Sequence, residues 1–158
     1  EYSPEWFEEP LREDDIDGYV WLRDRSPIPI AAGEGECGRE SFRPLIDKRA
    51  LDVYQVDLSR CGFTDAAYIR SRVEEIGARL CNHCYTSPLT VAASIHWLST
   101  CRDAFVFEDC VEDSPLRHEL THEKVLAVDG WIEVPDRPGL GVTIDEDFVR
   151  STLVSESR

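Results

Sequence analysis

Five short apolar runs in this chain each end in a residue able to carry a charge or a proton. Glu8 and Glu9 follow "EWF" and precede Pro10, Glu34 follows "IPIAAG", Asp57 follows "DVYQV", His83 follows "RLCN", and Glu108 follows "AFVF". A single acid in such a place is ordinarily a solvated loop residue. A succession of them is different if the runs are parallel strands, because the C-terminal strand ends of a βα barrel converge on one mouth. Carboxylates crowded there repel one another and call for a cation. Glutamate oxygens are hard ligands and favour Mg²⁺, which keeps positions open for water and substrate. An aspartate beside His83, as Asp57 would be, orients the imidazole and makes it more basic, as a general base requires.

A second constellation lies further along. His118-Glu119-Leu120-Thr121-His122 has the H-E-x-x-H spacing of zinc peptidases, in which two histidines on one helical face grip the metal and the glutamate activates water. Its surroundings argue against that chemistry. Charged Arg117, Glu123 and Lys124 flank the histidines, Pro115 leaves little helix before them, and no third histidine follows at the spacing of the related metal sites. The expectation is an exposed helix or loop, and a zinc hydrolase is disfavoured.

The elements that must position the strand-end residues follow from hydrophobic periodicity. "EWFEEP" reads as a strand end followed by a helix in "DDIDGYVWLRD"; the next strand runs from about Ile28 to Gly33. "RESFRPLIDKRA" has Phe42, Leu45 and Ile46 at helical spacing, a reading that Pro44 weakens unless it lies in the first turn. "LDVYQVDLS" is a strand. Thr64 is placed to cap "DAAYIRSRVEEIG", whose Ile69, Val73 and Ile76 share a face and whose Gly77 ends it. "ARLCNHC" is a strand, "SPLTVAASIHWLST" a buried helix with Pro88 early, and "DAFVFED" a fifth strand. Alternating β and α segments with strands buried on both faces imply a parallel sheet with helices outside. After residue 112 the rhythm changes to a hairpin in "KVLAVDGWIEVP", turning at Asp129-Gly130, and a Pro/Gly-rich tail.

Composition narrows the partners. The net charge of −15, from 32 acidic and 17 basic residues, opposes nucleic acid and anionic membranes as partners. No run reaches the roughly 18 apolar residues of a membrane span. The six cysteines sit in apolar runs without the framework of a small secreted domain, and Cys81 and Cys84 lack a second pair at ligand spacing. Reduced thiols and a cytoplasmic location are expected. The absence of methionine points to a fragment or an unusual source.

"WFEEP", "AAGEGE", "YQVDLSRCGFT", "LCNHCYTSPL", "FVFED" and "VPDRPGLGVTIDED", in that order, resemble the C-terminal part of the mandelate racemase and sugar-acid dehydratase group of the enolase superfamily. The resemblance implies an α/β fold: the C-terminal half of a modified TIM (β/α) barrel with a C-terminal hairpin and tail. Residues 1–112 would form about four and a half βα units, and residues 113–158 would pack back on the barrel or on a capping domain. Carried over by position, Glu8 and Glu34 would be Mg²⁺ ligands, Asp57 and His83 the base dyad, and Glu108 a hydrogen-bonding partner of the substrate carboxylate and its enediolate. Arg60 stands where a relative can carry lysine and receives no role; Glu9 and Glu36 would either flank the site or be exposed loop acids.

"SRCGFT" lacks one glycine of the family's Cys-Gly-Gly turn, so the loop after Asp57 is expected to be shortened or incompletely represented. The third metal ligand, an opposite-face base and the capping domain would come from chain preceding Glu1, making the natural protein longer. The implied activity is Mg²⁺-dependent dehydration of an aldonic or aldaric acid through α-proton abstraction, in a homo-oligomer acting on a small carboxylate. A racemase or epimerase of a 2-hydroxy acid and a non-catalytic fragment are the alternatives.

Overall fold

The structure, a computed structural model, describes residues 2–104 and 106–154. Four strands lie side by side in sequence order and all run parallel: β1 (Phe7–Glu8), β2 (Ile30–Ala32), β3 (Val53–Asp57) and β4 (Arg79–His83). Helices α1 (Ile16–Arg23), α2 (Gly38–Asp47) and α3 (Leu58–Glu75) connect them, and α4 (Pro88–Leu98) follows β4. A parallel sheet with a helix after every strand is the architecture expected for part of a (β/α) barrel.

Strand alternation divides the side chains between two layers. Ile30, Ala32, Tyr54, Val56 and Leu80 face the helices and join Phe42, Leu45, Ile46, Ile69, Val73 and Trp97 in the main core. Ala31, Val53 and Cys81 face the other way and pack with Trp6 in a small second cluster. The polar residues of that second face, Gln55, Asp57 and His83, continue the same alternation toward the strand ends. Register locks them together, since Gln55 pairs with Cys81 and Asp57 with His83 across β3 and β4.

Several local expectations shift. The second strand is shorter than its apolar run, because Pro29 has no N–H for a ladder. Pro44 sits inside α2 rather than in its first turn. Asp57, not Thr64, begins α3: its carboxylate accepts from the Ser59 amide, and the helix runs on to Glu75 with a break at Gly62, where φ is +62°. The segment after Asp57 is therefore taken up into a kinked helix. At the other end the Gly77 amide bonds Glu74 and the Ala78 amide bonds Val73, with Gly77 at positive φ, which is the glycine-terminated stop expected there.

The fifth expected strand, "DAFVFED", is not a strand among its described residues; Phe105 lies outside them. The segment nevertheless runs beside β4. Beyond it, α5 (Pro115–Glu119) and α6 (Glu146–Thr152) are short. The turn at Asp129-Gly130 forms with both residues at positive φ, closed by paired Val128 and Trp131 amide–carbonyl bonds of 2.8 and 3.0 Å. His96 on α4 meets the Leu140 carbonyl at 3.2 Å, tying this segment to the helix layer. No helix among the described residues is long and apolar enough to cross a membrane.

Candidate active site

Asp57 closes β3 and caps α3, so one carboxylate oxygen is already committed: Oδ1 accepts from the Ser59 amide at 2.7 Å and from its hydroxyl at 2.5 Å. The other oxygen, Oδ2, lies 2.8 Å from Nδ1 of His83 at the end of β4. An acceptor-only carboxylate demands that Nδ1 carry the proton, which leaves Nε2 as the free basic nitrogen. Nε2 lies 3.6 Å from Oε2 of Glu34. Tyr85 stacks on the imidazole, with ring centroids 4.9 Å apart and planes 12° from parallel.

Electrostatics match this geometry. Burial would raise the Asp57 carboxyl, but the bonds from His83 and Ser59 outweigh it and hold the group below its ordinary pKa. His83 is raised, first by its bond to Asp57 and then by Glu34 and Glu108, against the opposing effect of burial. Glu108 is raised as well, by burial foremost and by repulsion from Glu8 and Glu34, although His83 and a bond from Gln55 pull the other way. The acids thus sense one another, as groups gathered at one mouth must.

Glu34 is delivered by a glycine. Gly33 has φ +121°, and a Cβ there would come within 2.9 Å of the Gln55 carbonyl, so only glycine lets β2 turn this closely over β3. Glu8 ends β1 and accepts from the Trp6 indole N–H at 2.8 Å. Glu9, the neighbouring acid, has φ +39° and a buried, unpartnered Oε1; burial and then Glu34 raise its pKa. Glu36 is raised by burial and does not join the His83 cluster by any bond among the described residues.

The all-oxygen donors Glu8, at the end of β1, and Glu34, just past the end of the adjacent β2, are near enough to repel Glu108 and suit a hard divalent cation. They would supply two donors rather than a full set, and no group of three metal-binding side chains occurs among the described residues.

The H-E-x-x-H residues are not brought together. Helix α5 ends at Glu119, so His122 lies beyond it and the shared face never forms. His118 pairs with Asp113 at 2.8 Å while His122 sits 3.6 Å from Asp145.

Sequence reasoning passed over Gln55, Ser59, Asn82 and Tyr85. Gln55 donates to Oε2 of Glu108 at 3.1 Å, and Asn82 bonds the Glu108 backbone. The available signal was a polar residue inside an otherwise apolar strand run, in "VYQVD" and "RLCNH".

A parallel βα array with acids and an Asp–His pair at its strand ends is the class of site found in barrel enzymes. The sequence matches the enolase C-terminal domain-like family over residues 1–148, and the chain belongs to that family. It is 30% identical over 155 residues to a D-galactarolactone cycloisomerase of Agrobacterium fabrum, covering 92% of this chain and 41% of the relative. It is also 30% identical over 155 residues to a D-galactonate dehydratase of Ralstonia nicotianae, covering 94% and 41%. Among solved structures, the 3,6-anhydro-D-galactonate cycloisomerase of Zobellia galactanivorans superposes with a TM-score of 0.88 at 33% identity, over 96% of this chain and 43% of the other. A mandelate racemase/muconate lactonizing enzyme from Sulfitobacter sp. gives a TM-score of 0.88 at 30% identity, over 99% and 39%. The chain spans about two fifths of the length of the curated relatives it matches.

Proposed function

We propose that the whole protein is a Mg²⁺-dependent dehydratase of an aldonic or aldaric acid, with Asp57–His83 as its base dyad. The observation that carries this reading is the 2.8 Å bond between Asp57 and Nδ1 of His83 at adjacent strand ends, beside an acidic cluster. Relatives named for galactonate dehydration and galactarolactone cycloisomerisation support a sugar-acid substrate.

Nε2 of His83 takes the proton from the carbon next to the substrate carboxylate, and Asp57 stabilises the imidazolium that results. Glu108, raised toward its neutral form, can donate a hydrogen bond to the substrate carboxylate as that group gains enediolate charge. Glu8 and Glu34 would hold the metal, with a third ligand from residues outside this sequence; a bound Mg²⁺ supplies Lewis-acid polarisation of the substrate carboxylate. His83, now protonated, can return its proton to the β-hydroxyl as the C–O bond breaks. Water leaves, and the enol product becomes a 2-keto-3-deoxy acid.

The test is a sugar-acid library offered to the whole protein with Mg²⁺ in D₂O, read by NMR. Keto-acid formation on at least one member is expected. Deuterium exchange with inverted configuration and no water loss would assign a racemase instead, and neither exchange nor product on any member would remove the dehydratase reading.

A further inference from the structure

Glu108 needs a holder, because the segment that carries it has no strand ladder of its own among the described residues. That holder is a side chain. Asn82 Nδ2 donates to the Glu108 carbonyl at 2.8 Å, and Asn82 Oδ1 accepts from the Glu108 amide at 3.0 Å. The N–H and C=O of one extended residue point to the same side, and a primary amide presents one acceptor and one donor at matching separation. Asn82 therefore closes a two-bond ring that replaces one step of a β-ladder. Two neighbours tighten it: the Cys84 thiol meets the same carbonyl at 3.2 Å, and the Cys81 thiol meets the Val106 carbonyl at 3.9 Å. Asn82 is fully buried, so water does not replace either bond once it is lost, and Nδ2 would keep only the Cys84 sulfur at 3.2 Å.

Placement on β4 gives the clamp its consequence. Asn82 points to the opposite face from Cys81 and His83, so it grips the Glu108 backbone from outside the mouth while His83, the next residue, faces into it. From β3, Gln55 reaches the Glu108 carboxylate itself. The separation between the base and Glu108 is thereby set by two consecutive residues of one strand.

We infer that Asn82 is a positioning residue for Glu108, fixing its carboxylate relative to His83 through the two backbone hydrogen bonds. The inference rests on the role given to Glu108 above. Asn82 bonds the Glu108 backbone and the Cys84 sulfur from the face away from the mouth, and so acts on the site through Glu108. Displacing a reacting-site group by about 1 Å can cost on the order of 100-fold in rate.

The experiment is a double-mutant cycle in the whole protein, with Asn82→Leu, Glu108→Ala and the pair, using whichever sugar acid the wild type turns over. Asn82→Leu keeps the side-chain size and removes both bonds. It should lower kcat by about 10–100-fold while KM stays within about twofold. In the Glu108→Ala background the same substitution should cost almost nothing further, because the group it positions is gone. An equal loss in both backgrounds would make Asn82 merely structural and overturn the inference, as would wild-type kcat in the single variant. Asn82→Asp keeps the acceptor and loses the donor; it serves as the readable variant should the leucine protein not fold, with an intermediate loss of kcat and the same dependence on Glu108. Should the wild type turn over no sugar acid, the functional reading fails by itself. Crystal structures then decide the clamp: Glu108 released from Gln55 in Asn82→Leu or Asn82→Asp upholds it, and an unmoved Glu108 sinks it.

Discussion

Two histidine–aspartate contacts in this molecule have the same length and opposite meanings. His83 to Asp57 and His118 to Asp113 both measure 2.8 Å. The side chains of the first pair are 12% and 2% exposed, and those of the second 52% and 92%. In the first, paired strand register fixes both backbones, Ser59 occupies the spare carboxylate oxygen, and acids from other strand ends surround the imidazole. In the second, a five-residue helix presents one histidine to solvent, where water competes with the aspartate and side-chain freedom opposes the contact. Distance alone therefore says little. Burial and the rigidity of the supporting elements decide whether an imidazole can serve as a base.

The comparison can be broken most sharply at His83. In the whole protein His83→Asn should reduce α-proton exchange by roughly 10²–10⁴-fold and leave Mg²⁺ affinity near wild type, as followed by NMR exchange and titration calorimetry. Exchange at the wild-type rate would take the base role from His83. Glu34→Gln should act differently, weakening Mg²⁺ binding and turnover together because it removes a charged oxygen donor. Undiminished Mg²⁺ affinity in that variant would contradict the ligand assignment.

Smaller effects sharpen the electrostatic side. Asp57 has a lowered pKa in the folded protein, so its stabilising bonds are present above its unfolded value and lost as pH falls through the folded one. Asp57→Asn should therefore destabilise the protein at pH 7 by about 1–3 kcal/mol in urea unfolding. The gap to wild type should narrow as the pH falls below about 3.9, the ordinary aspartate value; a gap that is the same at every pH down to acid unfolding would mean the aspartate's charge is not what matters. The least change is expected at the exposed pair. His118→Ala with His122→Ala should leave turnover and metal content as they were, and stoichiometric Zn²⁺ in the wild type that disappears in the double variant would reverse the ranking of the two sites.

Legibility followed the strength of the local signal. The βα order and the positions of Glu8, Glu34, Asp57 and His83 were readable because an apolar run followed by an acid or imidazole is a one-dimensional pattern. The glycine stop at Gly77 and the Asp129-Gly130 turn were readable for the same reason, each needing a positive φ that few residues adopt. Cap choice at α3 was not, since both Asp57 and Thr64 have capping chemistry and only the structure shows the helix starting directly after β3, with the Asp57 carboxylate on the Ser59 amide. The helix expected around Pro44 forms although the proline lies in its interior, because the contacts of Phe42, Leu45 and Ile46 with the core outweigh the one hydrogen bond that proline removes.

By itself, then, the sequence determined which residues could do chemistry and the order in which the chain would present them, because periodicity and punctuation are local properties. Only the tertiary structure decided which of them act together. The 2.8 Å bond of Asp57 to His83 depends on strand register, the grip of Asn82 and Gln55 on Glu108 on contacts 26 and 53 residues apart, and the separation of His118 from His122 on where a short helix ends. Such contacts arise from packing between distant segments, where closure entropy is offset only by the assembled core, and no window of sequence contains both partners.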